Sequence, residues 1–331
     1  MLFFRSCANP RSEAISDFTL AELPSDIVWI DLFEPTADEV HFVERLTSLS
    51  LPNLDSLSEI EMSSRLYTEN NAIYMSGPLV SKSSTTAPEV SPTGFVLTRD
   101  FLITLRYAEF AAFNTFMDRM SRSGTFHHSS AGAFAGLMDA IIDRMADVLE
   151  RVGDELAVLS RRTFRGETLT AKHHRSANKE SADMRAILRR IGRAGDLAST
   201  IRDSLLGVNR MIAYMSGIAN EWTPEEVKPI IRTLREDAMS LNDYVTHLTN
   251  KVQLLLDATL GLISIEQNNT FRVLTIVSVV GIPPTLVASL YGMNFKYMPE
   301  LDWAWGYPWG LGLIALSAII PFVWFKFRGW D

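Results

Sequence analysis

Two stretches near the C-terminal end, residues 273–291 and 307–325, each run about 19 residues without a charged side chain. A helix rises 1.5 Å per residue, so roughly 20 apolar residues cross a hydrocarbon core of about 30 Å. Both stretches are therefore expected to span a membrane. Trp303, Trp305, Trp309 and Trp324 sit at their ends, where amphipathic rings anchor at the interface. The charged residues between Val273 and Phe325 are Lys296, Glu300 and Asp302, all in the connection 292–306, whereas the tail carries Lys326 and Arg328. Basic residues stay inside, so both termini are expected in the cytoplasm and the connection outside. The N-terminus lacks the apolar run of a signal peptide. The single cysteine, Cys7, agrees with a reducing compartment.

Upstream, residues 1–107 alternate short apolar runs with turn residues. Residues 27–32 are expected as a buried strand, followed by Pro35 and an acidic helix start. Residues 72–75 form a second strand, and 94–97 with 101–105 a hairpin. The segment 81–92, rich in Ser, Thr and Pro, is expected as a loop. Mixed strands and helices indicate an α/β or α+β domain.

From about Glu109 a helical period takes over. Met138, Ile141, Ile142, Met145, Val148, Leu149 and Val152 share one face, in a helix expected to end within 161–165. A second helix, about 177–216, turns Met184, Ile187, Leu188, Ile191, Leu197 and Ile201 inward, making an antiparallel hairpin with the first. A third opens at Thr223-Pro224-Glu225-Glu226, with Thr223 as N-cap and Pro224 at the first helical position. Pro229 lies near its start, and from there to Val280 it has no proline and only one glycine, Gly261. Some 65 residues to Asn294 make a rod on the order of 100 Å whose last part enters the membrane.

The formal net charge of −8 argues against nucleic acid as a partner. No nucleophile–base spacing, phosphate loop or Cys/His metal set points to an enzyme. His127-His128 and His173-His174 are adjacent pairs, which point apart on a helix and suit a loop or surface. Within the first span, Thr275, Ile282 and Ser289 recur every seven residues, as do Ser278 and Thr285. Such a stripe of small or polar side chains fits a pore wall and fits a packing seam equally.

The first span ends in Tyr291-Gly292-Met293-Asn294, followed by Phe295-Lys296-Tyr297 and Met298-Pro299-Glu300-Leu301. This resembles the CorA family of Mg²⁺ channels, in which Tyr-Gly-Met-Asn closes the first of two C-terminal spans and a Met-Pro-Glu-Leu loop follows. Asn268-Asn269 and the Trp-Gly-Tyr-Pro at 305–308 extend the likeness. The resemblance implies an α/β cytoplasmic N-terminal domain, a long-helix stalk and two C-terminal transmembrane helices in a funnel-shaped homo-oligomer. The corresponding divisions are 1–130, 131–272, the pore-lining span 273–291, the external loop 292–306, the outer span 307–325 and the tail 326–331.

It further implies a homopentamer in the bacterial inner membrane that admits Mg²⁺, with cobalt also carried in the family. Gly292, Met293 and Asn294 would form the selective mouth. Asn294 would supply a ring of five amide oxygens, which suits an ion that gives up its water reluctantly. Below it, Thr285 would be a polar pore residue. Ile282 and Leu274 would be constrictions that gate by dewetting, with Asn268 and Asp257 toward the cytoplasm. Pro283-Pro284 is expected to hinge the helix. Family members sense intracellular Mg²⁺ through an aspartate whose place here holds Thr233, so Glu236, Asp237 and Asp243 are the substitutes nearby. Two alternatives stay open: a Zn²⁺, Co²⁺ or Ni²⁺ transporter of the same superfamily, and a membrane-anchored scaffold that conducts nothing.

Overall fold

The structure is a computed structural model. It describes the 331 residues apart from 7, 8, 10, 11, 13, 16, 17, 21, 60, 82–88, 123–128, 165–176, 294–297 and 329–331. Two compact units result, the first comprising Met1–Ser176 with Arg185–Leu256 and the second Ala177–Met184 with Asp257–Asp331.

Unit 1 is built on a six-stranded sheet: β1 (Leu2–Arg5), β2 (Trp29–Phe33), β3 (Leu66–Glu69), β4 (Ala72–Ser81), β5 (Glu89–Leu97) and β6 (Leu102–Arg106). The order is β1-β2-β6-β5-β4-β3, with β2 and β6 parallel and every other pair antiparallel. Between β2 and β3 lie α1 (Ala37–Thr47) and two short helices, α2 (Leu54–Ser58) and α3 (Met62–Arg65). The acidic helix start after Pro35 is α1. Thr36 caps it, accepting from the Glu39 backbone N–H while Glu39 returns a bond to the Thr36 N–H.

Alternation along the strands sends Leu2, Phe4, Ile30, Leu32, Tyr74 and Val96 to one face, against Phe42 and Val43 of α1. Trp29, Ile73, Met75, Phe95 and Leu102 go to the other face, against the long helices.

The loop expected over 81–92 is a strand at its end. Glu89–Pro92 belong to β5 and pair with Pro78–Ser81 of β4. Proline is tolerated there because, among the described residues, the outer edges of this ribbon have no partner strand: β3 reaches only Met75, and β6 only Thr93. Gly94 of β5 lies under Leu57, which is 2% exposed, and an added Cβ would stand 2.7 Å from Leu57 Cδ2. Gly94→Ala is expected to cost about 1–3 kcal/mol, as overpacking does, read as a lower denaturant midpoint. Leu57→Ala in the same chain should recover part of it, and a purely additive loss would refute the clash.

One polar group interrupts the apolar packing. Asp31 of β2 is fully buried and takes two bonds of 3.0 Å from Arg106, one of 3.3 Å from Arg5 and one of 2.9 Å from Thr104. Thr104 in turn accepts from the Trp29 indole at 2.9 Å. The guanidinium groups stack on rings, Arg106 over Phe33 and Phe113, Arg5 over Phe3 and Trp29. The charge is thus compensated on every side the strands leave open.

After α4 (Ala111–Arg122), three long helices follow: α5 (Ser130–Phe164), α6 (Ala177–Ile218) and α7 (Val227–Tyr291, 65 residues). All seven residues expected on the inner face of α5 are buried. On α6, Ile191 and Ile201 are buried, while Met184, Ile187, Leu188 and Leu197 are half-buried. Arg190 of α6 meets Glu155 of α5 at 2.8 Å, and Ile201 shares a cavity wall with Met145, so the two run antiparallel. In unit 1, α7 buries Val227, Ile231, Leu234, Ala238, Val245, Leu248, Val252 and Leu255, a 3-4 stripe. Close approach is made possible by Gly153 and Gly195, where a Cβ would stand 2.5 Å from Tyr244 Oη and 3.1 Å from Val252 Cγ1.

The expected cap at Thr223 is not a cap. Its hydroxyl donates backward to the Ala219 carbonyl at 2.8 Å, 225–226 form a turn closed by the Val227 N–H on the Pro224 carbonyl, and α7 begins at Val227. Burial of Thr223 favours that local bond over an exposed cap. In unit 2, α8 (Gly306–Phe327) is the second apolar helix.

Candidate functional site

Two helices are long and apolar enough to cross a membrane, α8 and the C-terminal part of α7. Their side chains are not buried within the chain: Val273, Val277 and Leu286 are all about 60% exposed, a surface that only lipid or another protein surface suits.

Within unit 2, Ile276, Val280, Pro283, Val287 and Tyr291 of α7 are half-buried, stepping by three and four residues. On α8 the half-buried positions are Gly306, Gly310, Leu313, Ile314, Ser317, Ala318 and Pro321, again one side. At the loop end Ala288, Tyr291 and Gly292 share a cavity with Gly306, Gly310 and Ile314, which sets α8 beside that part of α7. Thr275, Ile282, Thr285 and Ser289 are exposed and Ser278 is half-buried. At about 100° per residue they lie on roughly the opposite side of α7 from the half-buried row. The hydroxyl stripe therefore faces away from the covered side.

The hydroxyls on this stripe have a common posture. Thr275 donates to the Phe271 carbonyl, Ser278 to Leu274 and Thr285 to Gly281, each at 2.8 Å. α7 continues helical through Pro283 and Pro284. Those prolines remove the N–H groups that the Val279 and Val280 carbonyls would otherwise receive.

Leu274 is 62% and Ile282 64% exposed, and Asn268 and Asp257 are exposed on the same helix. Asp257, Asn268, Thr275 and Ile282 follow steps of eleven, seven and seven, which return to nearly one face. Past the end of α7, the Gly292 N–H donates to the Ala288 carbonyl at 3.0 Å and Met293 to Leu290 at 3.3 Å. Met293 is 43% exposed. Asn294, Lys296, Cys7 and the histidine pairs at 127–128 and 173–174 lie outside the described residues.

Glu236, Asp237 and Asp243 are all exposed on α7. Glu236 and Asp243, seven apart, share a face, whereas Asp237 points elsewhere. Near Asp237 stands a group that the sequence reading missed: Arg119 of α4 bridges Asp139 and Asp143 of α5 at 2.5 and 2.7 Å. Burial pushes the Asp139 carboxyl up, the Asp143 charge adds to this, and Asp237 contributes a smaller push. The i, i+4 spacing of the two α5 acids was its sequence signal; that Arg119 meets them follows only from the fold. Among the described residues no three His, Cys, Asp or Glu side chains converge to hold a metal ion within one chain.

Comparison with known proteins covers nearly the full length. The family model described as CorA-like Mg²⁺ transporter protein matches residues 24–326. A magnesium transport protein CorA of Pasteurella multocida is 31% identical over 322 residues, 97% of either chain. One of Wolinella succinogenes is 29% identical over 322 residues, 96% of this chain and 95% of its own. Among solved structures, the CorA magnesium transporter of Methanocaldococcus jannaschii superposes with a TM-score of 0.73 at 19% identity, covering 93% of each chain. That last likeness concerns the fold.

Proposed function

The chain belongs to the CorA family of Mg²⁺ transporters, and from that premise we propose that it is an integral membrane protein that passes divalent cations, Mg²⁺ first, along a path walled by α7 of several copies. The carrying observation is the exposed hydroxyl stripe on the side of α7 turned from its covered face. Two spans per chain cannot enclose water, so copies must surround an axis with one helix from each inward. The number proposed is five, as the family resemblance implies. The resemblance also keeps the sequence divisions at 130, 272, 291, 306 and 325 as the functional parts, with both termini cytoplasmic and the membrane the bacterial inner one.

In this reading Asn294 rings the external mouth, beside Gly292 and Met293, and holds Mg²⁺ through its water shell. Thr285 contributes a polar ring below. Ile282 and Leu274 are the dewetting constrictions, and Asn268 and Asp257 ring the cytoplasmic side. Intracellular Mg²⁺ closes the path through Glu236, Asp237 and Asp243 on the same helix. Among the described residues of a single chain no acids converge there, so a cation would be shared between copies.

The deciding measurement reconstitutes the purified chain in liposomes with an internal Mg²⁺ dye. Entry driven by an inside-negative potential is expected, and no entry would leave the scaffold reading. Competition by Co²⁺, Ni²⁺ and Zn²⁺ ranks the cargo, and entry of Zn²⁺ in preference to Mg²⁺ would favour the zinc reading. Substituting Glu236→Gln, Asp237→Asn and Asp243→Asn together is expected to leave entry undiminished at high internal Mg²⁺. Inhibition identical to the unmodified chain would remove these acids as sensors.

A further inference from the structure

The two prolines inside α7 release two backbone carbonyls, and these stand in different surroundings. Pro283 and Pro284 have no N–H to give to Val279 and Val280, four residues back. The nearby hydroxyls do not make good the loss, since Ser278 donates to Leu274 and Thr285 to Gly281. Val280 is half-buried and belongs to the covered row, about 160° around the helix from Ile282. Val279 is 40% exposed and lies about 60° from Ile282, at the edge of the hydroxyl stripe.

Within a membrane, backbone that its own helix leaves unmatched is tolerated where it is buried in protein or lines a water-filled space. Val280 lies on the covered side, where the first condition holds. We infer that Val279 meets the second: its carbonyl, set free by Pro283, accepts from the water shell of the cation between the constrictions at Leu274 and Ile282, one oxygen from each copy. This rests on the conduction reading and adds to it a site that no side chain supplies.

The level of Val279 suits that task. At 1.5 Å per residue it stands about 7.5 Å beyond Leu274 and about 4.5 Å short of Ile282. A cation between two apolar rings keeps its waters only if something accepts their hydrogens. A carbonyl oxygen has two lone pairs for this, and here neither is committed to an N–H four residues on. The Pro283 ring also crowds the Val279 carbonyl, which tilts the oxygen outward from the helix.

The test exchanges the N–H alone. Position 283 is filled with alanine, which restores the N–H, or by nonsense suppression with L-lactic acid, which has the same methyl group and an ester oxygen instead. Each full chain is reconstituted in liposomes with an internal Mg²⁺ dye. Pro283→Ala is expected to lower Mg²⁺ entry about tenfold, because every copy then commits the acceptor to its own helix. Alanine favours the helix, so this loss is not a loss of fold. The lactic acid chain is expected to keep most of the entry, and Pro284→Ala to lose far less than Pro283→Ala. Undiminished entry in Pro283→Ala would overturn the inference, as would an equal loss in Pro284→Ala. Equal loss with alanine and lactic acid would also overturn it and assign the effect to the bend that the ring imposes. The unmodified chain decides the conduction reading separately: no entry there sinks that reading and this inference together, whereas entry without an alanine–lactic acid difference removes this inference alone.

Discussion

Asn294→Ala is expected to abolish most Mg²⁺ entry into dye-loaded liposomes, while the chain still folds and inserts. The reason is the chemistry of the ion. Mg²⁺ holds its waters in an octahedron at about 2.0–2.1 Å and sheds them reluctantly. A mouth that admits it must replace bulk water around the hydrated ion with acceptors already in place. In the proposed reading one Asn294 amide oxygen per copy would do this. If each hydrogen bond to the shell is worth about 1 kcal/mol, losing the whole ring lowers occupancy of the mouth by well over tenfold. Asn294→Asp tests the same point from the other side. A carboxylate ring binds more tightly and releases more slowly, so cation affinity should rise while flux falls. Undiminished flux in the alanine variant would remove Asn294 from the path.

Asp31→Ala carries the second large effect, on stability. Removing the carboxylate takes from the guanidinium groups of Arg5 and Arg106, 4% and 6% exposed, the anion that they share. Breaking a buried ion pair from one side costs about 3–5 kcal/mol. A whole domain is stable by only about 5–15 kcal/mol. The denaturant midpoint of the chain should therefore fall steeply and the folded yield with it. Asp31→Asn keeps an acceptor for Thr104 and Arg106 and should lose less. An unchanged midpoint in Asp31→Ala would mean that water reaches both guanidinium groups.

Much of the architecture was legible because it rests on periodicity. The apolar spans, the 3-4 stripe of α5 and the length of α7 are all statements about spacing, and helices obey spacing. What escaped was set by tertiary partners. β1 and β3 are four residues each, too short for alternation to stand out. The end of β5 carries Pro92, which reads as loop until the missing neighbour strand explains it. Asp31 sits within an otherwise apolar strand, and no spacing announces that Arg5 and Arg106 will converge on it. The stripe of α7 was legible, but not which way it would face. Asn294 drew its meaning from the company of Gly292, Met293 and the loop beyond, not from any period.

The hydroxyls of Thr275, Ser278 and Thr285 have one more consequence. Each spends its only proton on a carbonyl of its own helix, so what it turns outward is lone pairs alone. At these three positions a passage walled by this helix would offer acceptors rather than donors. Water beside them would point hydrogens at the wall and oxygens at the axis, an order that solvates a cation better than chloride. The helix would thus discriminate by sign of charge in a stretch that carries no charge.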